Sequence, residues 1–291
     1  MSYLQNMKTK ILDGKKLREK IRIKLGQRVE GMRRTPVLAI VSVKGADRSD
    51  VYIREKIKFG ASIGVKVRNI VLPADCSASE LLDAIKAQNQ DNTVDGVIVQ
   101  MPLPFSDLRI FANAVNPQKD VDGLTDVNLG KILAGAGEGI LAATARGVIT
   151  LLREYDESVD GKKVLIIGRS TLVGRPLAAA MLALNATVTV AHSRTANIRE
   201  EIRSADIVVV AAGVPNLIRR EDVRSHQVIV DVGISLVDGE KIEEEIPTKN
   251  VVGDVAFDEV RDSVSAISPV PGGVGPMTVA SLFENLLDAL R

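Results

Sequence analysis

The chain has few of the side chains that bind metals or form disulfides. It contains one cysteine, Cys76, and two histidines, His192 and His226, in 291 residues. A single cysteine excludes an intrachain disulfide and a multi-cysteine zinc site, and two histidines argue against a histidine-based metal centre. We therefore expect no bound metal.

The chain also lacks an excess of either charge and lacks long hydrophobic runs. Its 38 basic and 37 acidic side chains leave a formal charge of +1, which does not favour a nucleic-acid partner. No apolar stretch approaches the length of a membrane span, and residues 1–10 lack the hydrophobic core of a secretion signal. We expect a cytoplasmic protein of enzyme size that binds neither a membrane nor nucleic acid.

Short aliphatic runs alternate with helical patterns, which predicts an α/β protein with parallel sheets covered by helices on both faces. The length favours two domains: residues 1–140, and residues 141–276 with a Rossmann-like order of elements. The Gly- and Ala-rich stretch 129–140 is predicted to be the passage between the domains, and a C-terminal helix, 277–291, is predicted to return to the first. Strands are predicted at 36–43, 66–72, 96–100, 163–167, 187–191, 207–210 and 228–231, with an edge strand at 251–254. Helices are predicted at 12–29, 79–90, 145–155 and 198–203. Three more helices are predicted by one end only: one that follows a cap at Ser49, one that ends at residue 184, and one that begins at Thr278.

A strand, a tight turn and a helix are predicted around Gly168. Gly168 would let the backbone approach a phosphate closely, and Gly174 would let the helix sit against the sheet. The pattern departs from G-x-G-x-x-G, because Ser170 replaces the middle glycine and the last glycine comes one residue late. An ordinary strand and crossover helix is the alternative. Leu172 stands where a nucleophile elbow needs glycine, which argues against that motif.

The strand after the phosphate helix ends without an acidic residue. In proteins that bind NAD, an acid at this place usually holds the ribose hydroxyls. Here Ser193 and Arg194, with Arg169, offer hydrogen-bond donors and charge for a 2′-phosphate, so NADP is favoured over NAD. Alternatively, Arg194 is only a surface residue at the strand end. Thr195, Gly213 and Ile234 also follow strands and are candidates for lining the cofactor.

Tyr52 and Lys56 are neighbours at i and i+4 on one predicted helix. A lysine desolvated in a cleft loses basicity and can exchange protons near neutral pH. Gln100 ends a buried strand and is a candidate for the same cleft, and Asp122 could accept paired N–H donors from a guanidine-like ring edge. The alternatives are an exposed lysine, a strand-end amide in water, and a turn organised by Asp120 and Asp122.

Five motifs occur in the order seen in bifunctional methylenetetrahydrofolate dehydrogenase/methenyltetrahydrofolate cyclohydrolase, and the chain resembles that family over nearly its whole length. The first motif contains Tyr52 and Lys56, and the second contains Gln100, Pro102 and Leu103. The others are Lys119-Asp120-Val121-Asp122-Gly123, the segment from Gly168 to Pro176 with Val173 and Gly174, and the segment from Pro269 to Thr278 with Pro271, Gly272 and Gly273.

The resemblance implies a folate substrate in a cleft between a catalytic domain and an NADP-binding Rossmann domain. The substrate's methylene bridge gives a hydride to the nicotinamide, and water then converts the methenyl carbon to the formyl group. By analogy with the family, Lys56 handles the proton with support from Tyr52 and Gln100, and Asp122 anchors the pterin. One-carbon metabolism, purine biosynthesis and a homodimer are implied as well.

Three places depart from the family pattern, and two rival interpretations stay open. The family usually has Pro-Cys-Thr-Pro where this chain has 142–145, so only Thr144 of that cofactor-side loop carries over. The stretch 253–256 lacks a second acid, and Ser268 stands where threonine is common. The rivals are a dehydrogenase of the shikimate type and a non-catalytic protein that binds NADP or folate.

Overall fold

The computed structural model describes residues 9–45, 47–135, 137–241 and 247–290. These residues divide into two compact units. The six-stranded unit contains residues 9–17 with Gly147–Met277, and the three-stranded unit contains Arg18–Arg146 with residues 278–290. Within these residues no helix has the length and apolar character needed to cross a bilayer.

Strands and helices alternate through most of the chain. The strands are β1 (Lys10–Ile11), β2 (Val37–Val43), β3 (Lys66–Leu72), β4 (Gly96–Val99), β5 (Lys163–Ile167), β6 (Thr187–Ala191), β7 (Ile207–Val210), β8 (Val228–Asp231), β9 (Ser235–Lys241), β10 (Pro247–Val252) and β11 (Ala266–Ile267). The helices are α1 (Gly14–Glu30), α2 (Asp47–Ser62), α3 (Ala78–Gln90), α4 (Leu108–Asn113), α5 (Asp126–Leu133), α6 (Ala143–Glu154), α7 (Gly174–Ala183), α8 (Ile198–Ser204), α9 (Phe257–Val260) and α10 (Val274–Asp288).

The three-stranded unit is built on a parallel sheet with the order β3-β2-β4. The central strand β2 is buried at every position, because helices cover both faces of such a sheet. Phe283 of α10 packs against Phe59 of α2, with ring centroids 5.3 Å apart. Gly60 makes room for this contact, since a Cβ there would lie 3.1 Å from the Phe283 ring.

The six-stranded unit has the parallel order β1-β11-β8-β7-β5-β6. The chain passes from β5 to β6 on one side and then to β7 on the other, so the strand order reverses between β5 and β7. In open α/β sheets ligands bind beyond the carboxyl ends of strands at such a point. The predicted α/β class with parallel sheets is confirmed.

The structure corrects several sequence-based element assignments. Helix α2 begins at Asp47, so Ser49 lies within the helix and does not precede it as a cap. The stretch 129–140 is not a plain passage, because α5 reaches Leu133. Residues 251–254 do not add an edge strand to the main sheet; β10 ends at Val252 and pairs antiparallel with β9 in a separate hairpin. Helix α10 starts at Val274, four residues before the expected Thr278.

The N-terminal residues also differ from the expected division at residue 140. β1 pairs in parallel with β11, with Lys10 opposite Ala266 and Ile11 opposite Ile267. Residues 9–17 therefore belong to the six-stranded unit, although the sequence placed them with the first domain. A two-residue strand has too few positions to show an alternating pattern, so no local sequence pattern predicts β1.

Candidate active site

Lys56 lies on the buried face of α2 and points its amine at Gln100. Its side chain follows Ile53 and precedes Phe59 on that face, and the residue is only 8% exposed. Lys56 Nζ donates a hydrogen bond to Gln100 Oε1 at 2.8 Å. The structure thus decides against the alternative of an exposed lysine.

Gln100 follows β4 directly and is held on three sides. Its backbone N–H donates to the Val41 carbonyl at 2.8 Å, and its side-chain Nε2 donates to the Met101 carbonyl at 2.7 Å. With Nε2 engaged, Oε1 must face the lysine, and the residue is 8% exposed. Gln100 is therefore a fixed neutral acceptor and not a strand-end amide in water.

Asp122 supplies the charge that opposes the desolvation of Lys56. Burial lowers the pKa of the Lys56 amine, and the negative charge of Asp122 raises it by less. Burial likewise raises the pKa of the Asp122 carboxyl, while Lys56 lowers it and Asp120 raises it further. Both groups thus have pKa values displaced toward neutral pH, which suits proton exchange.

The neighbouring carboxylate, Asp120, has a structural role. Its Oδ1 accepts the Leu124 N–H at 3.2 Å, and its Oδ2 accepts the Thr125 N–H at 2.8 Å and Asn128 Nδ2 at 2.9 Å. Thr125 is the N-cap of α5, so Asp120 ties the loop to the start of that helix. Of the two acids, Asp120 organises the turn and Asp122 is available to a ligand.

The other predicted substrate residues of the three-stranded unit lie nearby in sequence but are more exposed. Tyr52 is 38% exposed, one helical turn before Lys56. Pro102 is exposed after a cis peptide bond, and Leu103 packs partly against the core of the unit. Pro271, Gly272 and Gly273 belong to the six-stranded unit, where Gly272 O accepts the Lys15 N–H at 3.0 Å.

The turn between β5 and α7 has the shape needed for a close approach of backbone to a ligand. Gly168 has φ +127°, and a Cβ there would overlap the Ala211 carbonyl. A Cβ at Gly174 would overlap the Gly168 carbonyl, so strand and helix meet at van der Waals distance. Ser170 Oγ accepts the Val173 N–H at 3.1 Å, and Arg169 is exposed beside it. These residues fit a dinucleotide phosphate.

The end of β6 presents the predicted phosphate-binding side chains to solvent. Ser193 and Arg194 are exposed, and the Arg194 N–H donates to His192 Nδ1 at 3.1 Å. Thr195 Oγ1 accepts the His192 N–H at 2.9 Å, so this hydroxyl shapes the turn. The turn leaves the Arg194 side chain at the carboxyl edge of the sheet, where a 2′-phosphate would lie in this fold.

Two buried acids that the sequence did not single out as functional lie against the loops that follow β7 and β8. Gly213 and Ile234 are exposed in these loops, as expected for residues that line a cofactor. Beneath them lie Asp231 and Asp254, which are almost fully buried. An aspartate that ends an aliphatic strand, as in 228–231, is a sequence signal that could have identified Asp231.

Thr144 and Thr278 both lie in the three-stranded unit and contact each other. The Thr278 hydroxyl donates to Thr144 Oγ1 at 3.3 Å. Ala142 and Ala143, which replace the family's usual proline and cysteine, are buried at the start of α6. In the described ranges no group of three His, Cys, Asp or Glu side chains is arranged to hold a metal ion.

Comparisons with known proteins match both units. The model of the tetrahydrofolate dehydrogenase/cyclohydrolase catalytic domain matches residues 12–122, and that of its NAD(P)-binding domain matches residues 142–291. The chain is 43% identical to "Bifunctional protein FolD" from Prochlorococcus marinus, over 96% of this chain and 94% of that protein.

Solved structures agree with these matches. A bifunctional methylenetetrahydrofolate dehydrogenase/cyclohydrolase from Campylobacter jejuni has a TM-score of 0.90 and 37% identity, covering 97% of this chain and 98% of that one. The Trypanosoma brucei enzyme, solved with NADP and an inhibitor, has a TM-score of 0.90 and 33% identity, covering 97% of each chain. The resemblance inferred from five motifs is therefore confirmed, and the chain belongs to the tetrahydrofolate dehydrogenase/cyclohydrolase family.

Proposed function

We propose that this protein oxidises 5,10-methylenetetrahydrofolate with NADP and hydrolyses the resulting 5,10-methenyl compound to 10-formyltetrahydrofolate. The observation that carries the proposal is the buried hydrogen bond from Lys56 Nζ to Gln100 Oε1 at 2.8 Å, with Asp122 as the nearby charge. Mere binding of a folate or a dinucleotide would not require a buried lysine of lowered pKa. Family membership argues in the same direction and against the shikimate-type alternative.

Lys56 is the proton-handling residue of the hydrolysis. Water attacks the cationic methenyl carbon, the unprotonated Lys56 amine takes a proton from it, and a new C–O bond forms. The bond from that carbon to N5 then breaks while the new hydroxyl becomes the formyl C=O and releases its proton to solvent, and the Lys56 ammonium returns its proton to N5. The net products are 10-formyltetrahydrofolate and one proton from the water. Because the substrate carbon is already electrophilic, a placed water and a proton acceptor are sufficient.

Gln100 and Asp122 have different tasks around that amine. Gln100 holds Lys56 by a neutral acceptor, so it orients the amine and adds no charge that would raise its pKa. Asp122 would accept paired N–H donors from the pterin ring edge. Tyr52, Pro102 and Leu103 are proposed as further contacts of the folate in this unit, and Pro271, Gly272 and Gly273 as contacts from the six-stranded unit.

The six-stranded unit is proposed to bind NADP, which accepts the hydride when bound. Gly168, Arg169, Ser170, Val173 and Gly174 would surround the pyrophosphate. Ser193, Arg194 and Thr195 would meet the adenosine ribose, and the exposed cation at Arg194 supports NADP over NAD. Gly213, Ile234, Thr144 and Thr278 are proposed to line the rest of the cofactor.

The wider setting follows from the same proposal. Residues 1–140 with the C-terminal helix would bind folate, and residues 141–276 would bind the dinucleotide. The exception is the N-terminal residues, which join the dinucleotide-binding unit. A cytoplasmic homodimer that supplies formyl groups to purine biosynthesis stays a prediction from the resemblance.

Both half-reactions can be measured by absorbance on the purified protein. With methylenetetrahydrofolate as the substrate, we expect reduction of NADP at a higher kcat/KM than reduction of NAD. With methenyltetrahydrofolate and no dinucleotide, we expect hydrolysis well above the spontaneous rate. A protein that binds NADP but supports neither reaction would contradict the proposal and favour a non-catalytic binding role.

A further inference from the structure

The buried amide of Asn285 joins α10 to two other segments of the three-stranded unit, and the mechanism above does not use it. Asn285 is 3% exposed. Its Nδ2 donates to the Val121 carbonyl and to the Leu141 carbonyl, each at 2.9 Å. A buried amide is costly unless its polar atoms are hydrogen-bonded. One side chain therefore holds the backbone at Val121 and at Leu141 against α10.

Arg146 determines the orientation of the Asn285 amide. Its Nη1 donates to Asn285 Oδ1 at 2.8 Å. Because a guanidinium group can only donate hydrogen bonds, the amide oxygen faces Arg146 and the amide nitrogen faces the two carbonyls. The guanidinium is held in turn by acids on α10, with Nη2 2.8 Å from Asp288 Oδ2 and Nε 3.4 Å from Glu284 Oε2. The direction of both donated hydrogen bonds is thus fixed.

Both carbonyls belong to segments that hold the backbone of Asp122. The Val121 carbonyl is part of the peptide that links Val121 to Asp122, so the hydrogen bond from Asn285 acts on that peptide directly. Leu141 lies shortly before Ala143, whose N–H donates to the Asp122 carbonyl at 3.1 Å. Asn285 therefore restrains Asp122 through its own peptide and through the segment that binds its carbonyl.

The loop 120–123 also packs closely against both of these partners. Gly123 has φ +69°, and a Cβ there would lie 2.6 Å from the backbone nitrogen of Ala142. A Cβ at Gly96 would lie 2.7 Å from Val121 and 2.7 Å from Leu286 of α10. Glycine at both positions permits the close approach. The loop that carries the proposed pterin anchor is thus packed against the elements that Asn285 ties together.

Packing alone does not explain an amide at position 285. The neighbouring leucine and phenylalanine side chains of α10 are fully buried, so an apolar residue would be sufficient to dock the helix: these are Leu282, Phe283, Leu286 and Leu287. An amide adds direction, because each hydrogen bond that it donates fixes one carbonyl. Asp122 needs such fixing, since a carboxylate that accepts paired N–H donors must be aligned with the ring edge.

We propose that Asn285 is a positioning residue that holds Asp122 in the orientation in which its carboxylate receives the pterin. Asn285 acts through the backbone of the loop 120–123 and not by contact with the folate. When its two hydrogen bonds are lost, the loop is released, the carboxylate loses its alignment and folate binds more weakly in both reactions. Binding of NADP is unaffected. This inference rests on the proposed function, in which Asp122 contacts the folate.

The kinetic test compares Asn285→Ala with Ser281→Ala. Ser281 is fully buried on the same helix, and its hydroxyl donates to Glu284 of that helix at 3.3 Å. For Asn285→Ala we expect the KM values for methylenetetrahydrofolate and methenyltetrahydrofolate to rise about threefold to tenfold, because the charge-assisted hydrogen bonds of Asp122 are weakened. The KM for NADP stays unchanged, and Ser281→Ala keeps all three constants.

The split between KM values separates positioning from a merely structural role. A variant that is only less stable contains less folded protein, which lowers the apparent kcat and leaves the KM for folate as it was. Unchanged folate KM values in a folded Asn285→Ala protein would overturn the positioning role. Asn285→Asp provides a second variant of nearly the same shape, which can still accept from Arg146 but has lost both donors. It is expected to show the same rise in folate KM.

Hydrogen exchange detects the restraint whether or not folate is the substrate, because it is measured without any ligand. The Gly123 N–H donates to the Asp120 carbonyl at 3.1 Å, and the Ala143 N–H donates to the Asp122 carbonyl. We expect both amides to exchange about threefold to tenfold faster in Asn285→Ala and in Asn285→Asp, as for the loss of a buried hydrogen bond nearby.

The two measurements distinguish failure of this inference from failure of the proposed function. Exchange rates of Gly123 and Ala143 that match the wild type in both Asn285 variants would refute the restraint. Faster exchange in the variants, together with a wild type that converts neither folate, would refute only the proposed function. Ser281→Ala is the control in this measurement as well, and its exchange rates at both amides are expected to equal those of the wild type.

Discussion

The acid–base behaviour of Lys56 depends on a neutral partner. Desolvation lowers the pKa of the amine, and only the part-buried Asp122 opposes this effect. An acceptor that carried charge in place of Gln100 would undo the lowering, because an opposite charge at hydrogen-bond distance favours the ammonium form. The amide of Gln100 is thus a chemical requirement of the site as well as a geometric one.

Replacing Gln100 by glutamate tests that argument. We expect Gln100→Glu to keep the contact with Lys56 but to raise its pKa, so that the pH profile of methenyltetrahydrofolate hydrolysis shifts to alkaline pH by about one unit or more. Activity at neutral pH falls because less of the amine is unprotonated. The measurement is kcat against pH for the two proteins. An unchanged profile with reduced rates would indicate that Gln100 only orients the amine.

Arg194 is the residue that we propose sets the preference for NADP over NAD. We expect Arg194→Ala to raise KM for NADP by about tenfold or more, since a charge-assisted hydrogen bond contributes about 1.5–3 kcal/mol, and to leave KM for NAD nearly unchanged. The matched control is Arg220→Ala, because Arg220 is also an exposed arginine of the same unit. If both cofactors weaken equally, Arg194 does not contact the 2′-phosphate.

Among the elements, the loop between α4 and α5 contains a structural acid, Asp120, and a proposed functional acid, Asp122, only two residues apart. Asp120 accepts three hydrogen bonds that start α5, whereas the pKa of Asp122 responds mainly to burial and to Lys56. We expect Asp120→Ala to destabilise the protein by about 2–3 kcal/mol, because buried amides lose their acceptor. Thermal unfolding should then shift down by about 5–10 °C.

Asp122→Asn is the matched contrast in the same loop. We expect this variant to keep a Tm near that of the wild type and to lose folate affinity and turnover. Folate binding can be followed as the KM for methylenetetrahydrofolate. The assignment of roles would be wrong if Asp122→Asn were the less stable protein and Asp120→Ala the less active one.

A further prediction at the scale of the element concerns the turn between β5 and α7. We expect Gly168→Ala to destabilise the six-stranded unit by at least about 3 kcal/mol, because its positive φ is unfavourable for alanine and its Cβ overlaps the Ala211 carbonyl. Gly161→Ala is the control: Gly161 also has a positive φ, +69°, but a Cβ there meets open space. Its cost should be about 1–2 kcal/mol. Equal losses of Tm would show that the contact with Ala211 does not matter.

The sequence predicted the elements whose pattern is local and complete. Strands β3, β5, β6, β7 and β8 have the expected bounds, because uninterrupted aliphatic runs between turns are distinctive. Helix α5 was missed even though Thr125 caps it, since glycine and alanine around it suggested a linker. The short strands β1 and β11 pair across more than 250 residues, and no local pattern reveals such a contact.

At the scale of the whole molecule, some residues of interest can be proposed from the sequence, whereas others are found only in the folded structure. Residue types, spacing and resemblance were enough to propose Lys56, Gln100 and Asp122. In the structure Lys56 contacts Gln100, and the charge of Asp122 acts on the Lys56 amine. A role for Asn285 could not be proposed in this way, because it depends on contacts between segments that only the folded chain creates. Buried polar networks depend on tertiary packing, which sequence patterns do not encode directly.

The central claim is that one buried amine moves the proton during hydrolysis. Its most direct test is the rate of methenyltetrahydrofolate hydrolysis by Lys56→Met, measured without dinucleotide and compared with Lys58→Met. Lys58 lies on the same helix but is exposed, so the control makes the same chemical change outside the site. We predict that Lys56→Met loses about 10²–10⁴-fold in kcat, as expected for a missing general base, with its circular dichroism spectrum unchanged, whereas Lys58→Met retains wild-type activity. Full hydrolysis by a folded Lys56→Met protein would contradict the account.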